Sequence, residues 1–217
     1  MAKYLIHRHL FAGVAVAACI IAADQARADR YRFDERHTHI QFTWDHLGVS
    51  YQSGRFSRCE GELSFDPANP AAAELSVALD AAGLDTGVPD LDRFLRSPRF
   101  FHVRAFPKVT FTSTRIDIDS DRTGRVTGVL TMKGIAKPVT LDVRWNYTGW
   151  HPWGRYNPRY WDWFISGFSA TTKLKRSDWD LGAYLPLVPD EIAVSIETEL
   201  VRIHPKGQKR PQSDNDD

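Results

Sequence analysis

The sequence predicts an all-β domain. Eight or nine antiparallel strands form a barrel or a sandwich, with one short helix among them. Three observations carry this. Val139 to Tyr147 is apolar or aromatic at every odd position and polar at every even one, the pattern of a strand with one dry and one wet face. The same period of two recurs along most of the chain, whereas helical spacing appears once. The links between these segments are of hairpin length, and several are turn clusters such as Asp66-Pro67-Ala68-Asn69-Pro70. A barrel of about eight strands can hold one small ligand, so function depends on what the dry faces enclose.

Residues 1–28 read as a secretory signal peptide. Lys3 and Arg8 make a basic start, Leu10 to Ala23 is apolar, and Ala26-Arg27-Ala28 is an A-x-A cleavage site. The apolar run is too short to suggest a membrane span. Val16-Ala17-Ala18-Cys19 also fits a permissive lipobox, but Ile20-Ile21 continues the apolar run and favours a thiol inside the signal. A bacterial periplasm or exterior is expected. Cleavage leaves Cys59 alone, so no internal disulfide staples the domain. Roughly 190 residues suffice for one core. Loss of Lys3, Arg8, Arg27 and Asp24 takes the formal charge from +1 to −1. With no basic block, nucleic acid is not an expected partner.

In chain order, Tyr31-Arg32-Phe33 is a short strand and Ile40 to Trp44 another. A strand beginning near Gly54 ends at Leu63 and Phe65. Leu75, Val77 and Leu79 alternate with Ser76, Ala78 and Asp80. Leu91, Phe94 and Leu95 then change the period, after Pro89-Asp90 and before Pro98, which predicts a two-turn helix capping one barrel end. Val109 and Phe111 share a face, but Ile116 and Ile118 fall on the opposite parity, so a bulge is expected near Ser113-Thr114. Asp119 to Gly124 is a hairpin loop. Val126, Leu130 and Met132 follow, and Lys133 to Pro138 turns into the strand from Val139. Phe164, Phe168, Ala170 and Leu174 form one further strand, and Ile192, Val194, Ile196 and Leu200 the last. His204 to Asp217 is polar and aperiodic, a disordered tail. Aromatic residues beside the small Gly128, Ser166 and Ala170 suggest space on the dry side.

Several runs together resemble a known family. They are Asp34 to His39 with Phe42, His46 to Ser50, Gly54-Arg55-Phe56, Ser97 to Phe101, and Phe106 to Phe111. Leu130 to Leu141, Gly167 to Thr171, Lys175 to Asp178 and Pro189 to Ile192 follow in order. The ordered set, spanning about residues 31–201, is similar to the YceI-like polyisoprenoid-binding proteins. The resemblance implies a lipocalin-like antiparallel barrel of about eight strands over residues 29–203. It implies periplasmic secretion and an elongated apolar channel for an isoprenoid chain, with no catalytic residues. The chain departs from the family at Trp145 to Trp163. Trp150, Trp153, Trp161, Tyr147, Tyr156 and Tyr160 crowd this stretch, and Asn157 to Trp163 looks like extra material.

On this reading the channel wall is Phe42, Trp44, Phe111, Leu130, Met132, Trp145, Phe168 and Ala170; ordinary core is the alternative. His46, Arg176 and Asp178 are candidates for a head group at the mouth, since Arg suits phosphate; a solvated loop is the alternative. His37 and His39 share a strand face as zinc ligands can, but a third ligand is missing. The 145–163 loop fits a lid, a membrane-interface anchor or a sugar platform, and equally a packed loop. No G-x-S-x-G, paired carboxylate, P-loop or C-x-x-C occurs, and Cys59 reads as a buried thiol.

The expected protein is thus a periplasmic carrier or buffer for one amphiphilic lipid, and not an enzyme. No metal or cofactor is expected beyond a bound isoprenoid or quinone-type lipid. Transient membrane contact and a homodimer are compatible with the composition. The rivals are a glycan- or membrane-surface-binding domain using the aromatic loop, an integral outer-membrane barrel, and a His37/His39 enzyme. The outer-membrane reading conflicts with a wet face that carries Thr140, Asp142, Arg144 and Glu197.

Overall fold

A computed structural model of the chain describes residues 28–203. The expected signal peptide up to residue 27, its Cys19 alternative and the tail from His204 lie outside these residues. The chain order is β1 (Asp29–His46), β2 (Ser50–Phe56), β3 (Cys59–Phe65), β4 (Glu74–Asp80), β5 (Leu84–Asp85), α1 (Pro89–Arg96), β6 (Lys108–Ile118), β7 (Thr123–Met132), β8 (Ile135–Trp150), β9 (Phe164–Lys175) and β10 (Glu191–Arg202). Neighbours around the wall run β1, β3, β4, β6, β7, β8, β9, β10, and β10 pairs back onto β1. The sheet is therefore a closed antiparallel barrel with no free edge in that ring. β2 prolongs β3 as the partner of the far half of β1, and the two-residue β5 adds to β2.

Parity explains where the strands bend. The bulge expected near Ser113-Thr114 is present, between Ser113 and Arg115. Tyr31-Phe33 and Ile40-Trp44, expected as separate strands, are one strand with a wide bulge. Phe33 faces Leu200 and Thr38 faces Thr198, so residues 34–37 stand against Glu199 alone. Asp34 closes that bulge by accepting from the backbone N, Nε and Nη2 of Arg36 and pairing with His37 Nδ1 at 2.8 Å. The strand expected from Gly54 to Phe65 is broken at residues 57–58 into β2 and β3. There Ser57 N bonds Gly83 O, and Arg58 O takes up the N–H of Asp80.

Two further expectations are corrected. The turn read over Lys133 to Pro138 is only Lys133-Gly134. Both residues have positive φ, 51° and 76°, as a tight two-residue hairpin needs, so β8 begins at Ile135. The flawless alternation of 139–147 also fails at its end. A bulge between Trp145 and Tyr147 leaves Trp145 inside and Tyr147 40% exposed, with its hydroxyl donating to Trp150 O at 2.7 Å. Alternation reports a face only while pairing is regular.

The helix stands where its period placed it. Pro89 occupies the first turn, Asp90 and Asp92 face the N-terminus, and Arg93 and Arg96 lie in the last turn. Asp92 accepts from Thr86 N at 2.8 Å and Thr86 Oγ1 at 2.7 Å. The helix, residues 97–107 and residues 176–190 together seal one barrel end. Leu84, Leu95, Phe101, Trp179 and Leu181 are buried there, and Phe101 packs edge-on to Phe56 at 6.0 Å. The opposite end holds the β3–β4, β6–β7 and β8–β9 connections and a smaller core of Tyr31, Leu63, Phe65 and Leu200.

Candidate ligand-binding cavity

The inward face of the barrel does not fill it. A cavity of about 260 Å³ runs from Phe56, Cys59 and Met132 near the sealed end to Ser120, Asp121, Arg122 and Thr123 at the other. Its walls come from every strand of the ring: Phe33, Ile40 and Phe42 from β1, Val143 and Trp145 from β8, Phe168 and Leu174 from β9, Val194 and Ile196 from β10. Phe33, Phe42, Val143, Phe168 and Ile196 are only partly buried although they point inward, because they border open space instead of other side chains. Apolar cavities of even ~150 Å³ stay dry, and away from its rim this one offers water little beyond threonine hydroxyls. Thr38 and Thr198 bond each other at 2.8 Å, while Thr172 Oγ1 donates to Thr140 O.

Phe42, Phe111, Leu130, Met132, Trp145, Phe168 and Ala170 all line this cavity. Trp44, grouped with them from sequence, does not. It stacks on Phe42 at 5.8 Å, past the last β1–β10 pair at Thr43, where the β1–β2 ribbon leaves the wall. Two of the small residues thought to leave space are instead covered. A Cβ on Gly128 would lie 2.5 Å from Cζ of Phe111, so that ring rests directly on the glycine. Ser166 is fully buried and bonded to Thr148 Oγ1 at 2.5 Å.

The head-group candidates need the larger correction, because all three sit at the sealed end. His46 is exposed beside the Leu47-Gly48 hairpin turn, and Asp178 is exposed in the turn after β9. Arg176 is 5% exposed and already engaged by the protein through all three of its nitrogens. It donates to the backbone carbonyls of Pro189, Leu181, Ala183 and Val188 at 2.9, 2.6, 2.8 and 2.5 Å. Burial lowers its pKa from the ordinary guanidinium value, opposed by the charge of Asp190. It is a scaffold for an irregular loop, and no atom of it reaches the cavity. The residues at the actual opening, Ser120 to Thr123, Pro70 and Ala73, were read only as hairpin and turn. Nothing in their spacing distinguishes a rim from any other loop.

The aromatic 151–163 segment stands at the open end but lines none of the cavity. It folds onto the β1 bulge. His151 stacks on Tyr160 at 4.4 Å, Arg36 sits over Trp163 at 5.5 Å, and Arg202 covers Phe164 at 4.2 Å. Trp153 and Tyr156 remain 62% and 83% exposed. His37 is held by Asp34 and lies 3.7 Å from Glu199. Among the described residues no group of three or more His, Cys, Asp or Glu is placed to hold a metal ion. Burial pushes the Cys59 thiol up to about 12, which leaves it protonated and a poor nucleophile.

Comparison with known proteins bears on this cavity. The YceI-like domain model matches residues 31–200. A UPF0312 protein of Yersinia enterocolitica is 34% identical over 88% of this chain and 95% of its own length. Among solved structures, Burkholderia cenocepacia BcnA covers 77% of this chain and 98% of its own, with a TM-score of 0.67 at 23% identity. A polyisoprenoid binding domain from Saccharophagus degradans, implicated in plant cell wall breakdown, covers 82% of this chain and 100% of its own, with a TM-score of 0.54 at 14% identity. At these identities the two structures speak for the fold.

Proposed function

Since the chain belongs to the YceI-like domain family, we propose that it is a binding protein whose barrel takes up the apolar chain of an isoprenoid, quinone-type or other long-chain lipid. The observation that carries this is the cavity, walled by hydrocarbon and aromatic rings with so few polar groups. An alkyl or prenyl chain has no hydrogen-bonding groups to satisfy. At about 25 cal/mol per Å², burying roughly 400 Å² of chain contributes about 10 kcal/mol, before the cost of immobilising it. A polar ligand would lose its hydration inside without compensation. The similar domain from Saccharophagus degradans, a polyisoprenoid binding domain, is in keeping with such a ligand.

The role is sequestration or carriage, in the periplasm, after removal of the amino-terminal signal. Outward-facing Thr140, Asp142, Arg144 and Glu197 are exposed, a poor match to lipid on the outer wall. Binding is the activity this reading assigns, because the walls are hydrocarbon and aromatic and the one carboxylate of the lining, Asp121, stands at the rim.

Native mass spectrometry of the protein secreted to the periplasm, followed by solvent extraction, tests this reading. One long-chain lipid per protein is the expected result. A protein that emerges empty and takes up neither ubiquinone nor a polyprenyl phosphate would overturn it. A second reading, a surface for glycans or membranes, rests on the exposure of Trp153 and Tyr156. It requires glycan or vesicle binding that Trp153→Ala abolishes.

A further inference from the structure

The cavity opens beside one cation. Arg122 belongs to the hairpin between β6 and β7 and is exposed at the rim, where its own atoms line the cavity. Its guanidinium is positioned from two sides, and its backbone is pinned as well. Nη1 donates to Asn146 O at 2.8 Å, and the guanidinium carbon stands 5.8 Å from the Trp145 ring. Its carbonyl accepts from Trp145 N at 2.8 Å. The indole is fixed in turn, because Nε1 donates to Thr148 Oγ1 at 2.8 Å. Trp145 also lines the cavity, so this stack joins wall to rim. The nearby Asp119 pairs with Arg125 at 3.3 Å, which leaves Nε and Nη2 of Arg122 without a protein acceptor among the described residues. Ser120 and Thr123, whose hydroxyls bond each other at 2.7 Å, complete the polar rim.

We propose that this rim is a head-group site for a phosphate ester, with Arg122 as its receptor, so that the lipid lies tail-inward and its phosphate stops at the β6–β7 hairpin. The proposal rests on the lipid reading above and adds the direction of the ligand and the charge of its head. A guanidinium held in place on an indole presents its fork of N–H groups to phosphate oxygens without first being ordered. Its position at the edge of an apolar cavity reduces the water that would screen it. A neutral oxygen could accept from the same N–H groups but brings no charge to meet the guanidinium.

The test compares a polyprenyl phosphate with the polyprenol of equal chain length, by equilibrium binding to the purified protein. Wild type should bind the phosphate about tenfold more tightly, with the preference shrinking in high salt. Arg122→Gln should reduce the preference to about one, chiefly by loss of affinity for the phosphate, and an unchanged urea midpoint reports that the variant is folded. Asp121→Asn removes the rim carboxylate and should raise the preference. Millimolar inorganic phosphate should not displace the lipid phosphate. Equal wild-type affinities, or a preference that survives in Arg122→Gln, would overturn the head-group site while leaving the lipid reading intact. Displacement by micromolar inorganic phosphate would overturn it in favour of a free-anion site. Failure of both lipids to bind would remove the lipid reading and this inference with it.

Discussion

At one end of the barrel Phe56, Phe94, Phe100 and Phe101 interlock beside Trp179 and Leu181. At the other, the hairpin of Ser120 to Thr123 and the turn at Pro70 stand around an opening. The sealed end is crossed by four connections and the open end by three, so loop number alone does not set them apart. The sealed end has a helix with a buried apolar stripe and a long irregular loop whose carbonyls converge on Arg176. The open end has a short hairpin at its low side, while β8 runs on past Arg144, the partner of Thr123, to Trp150. That stagger is what tilted strands in a barrel produce. The aromatic material added at this end packs outward on the β1 bulge and leaves the opening clear. A closed barrel becomes a cup when only one end receives enough apolar side chains to cover it.

Breaking the sealed end should have the largest effect. Arg176→Met deletes donors to four backbone carbonyls and should destabilise the protein by about 3–5 kcal/mol, read as a shift of the urea midpoint. An effect below about 1 kcal/mol would show that water replaces the guanidinium. Filling the cup separates function from stability. Ala170→Phe projects a ring into the cavity, and lipid uptake should fall at least about tenfold, equivalent to ~1.4 kcal/mol, with the fold retained. Unchanged uptake would place the ligand elsewhere.

Smaller effects sharpen the contrast at the β1 bulge. Burial pushes the Asp34 carboxyl up, but hydrogen bonds from Arg36 and His37 outweigh it and hold the pKa below the ordinary value. The unfolded chain then binds more protons, so this contribution to stability is present above about pH 4 and is lost as pH falls through the folded value. Asp34→Asn should flatten that slope in acid denaturation; an unaltered slope would assign it to other carboxylates. Smallest of all, Trp153→Ala should change stability by less than about 0.5 kcal/mol and leave lipid uptake intact, because the indole is mostly in solvent and away from the cavity.

The wall of the cavity was legible because inward residues repeat every second position. Seven of the eight wall residues read from sequence reached it, and Trp44 missed only because its strand outruns the ring. The rim was not legible. Arg176 looked like a phosphate ligand from its charge and neighbours, but whether a guanidinium meets ligand or backbone depends on which loops surround it. Arg122 looked like any hairpin residue.

The sequence by itself determined where most strand segments lie though not all their limits, the one α-helix, the bulge at Ser113 and the dry face, since each follows from local spacing and turn chemistry. Only the tertiary structure decided which end is sealed, that Gly128 and Ser166 are filled sites, that the aromatic segment lies outside, and which arginine stands at the opening. Those outcomes depend on barrel closure, strand stagger and contacts between residues far apart in the chain, and no local pattern encodes them.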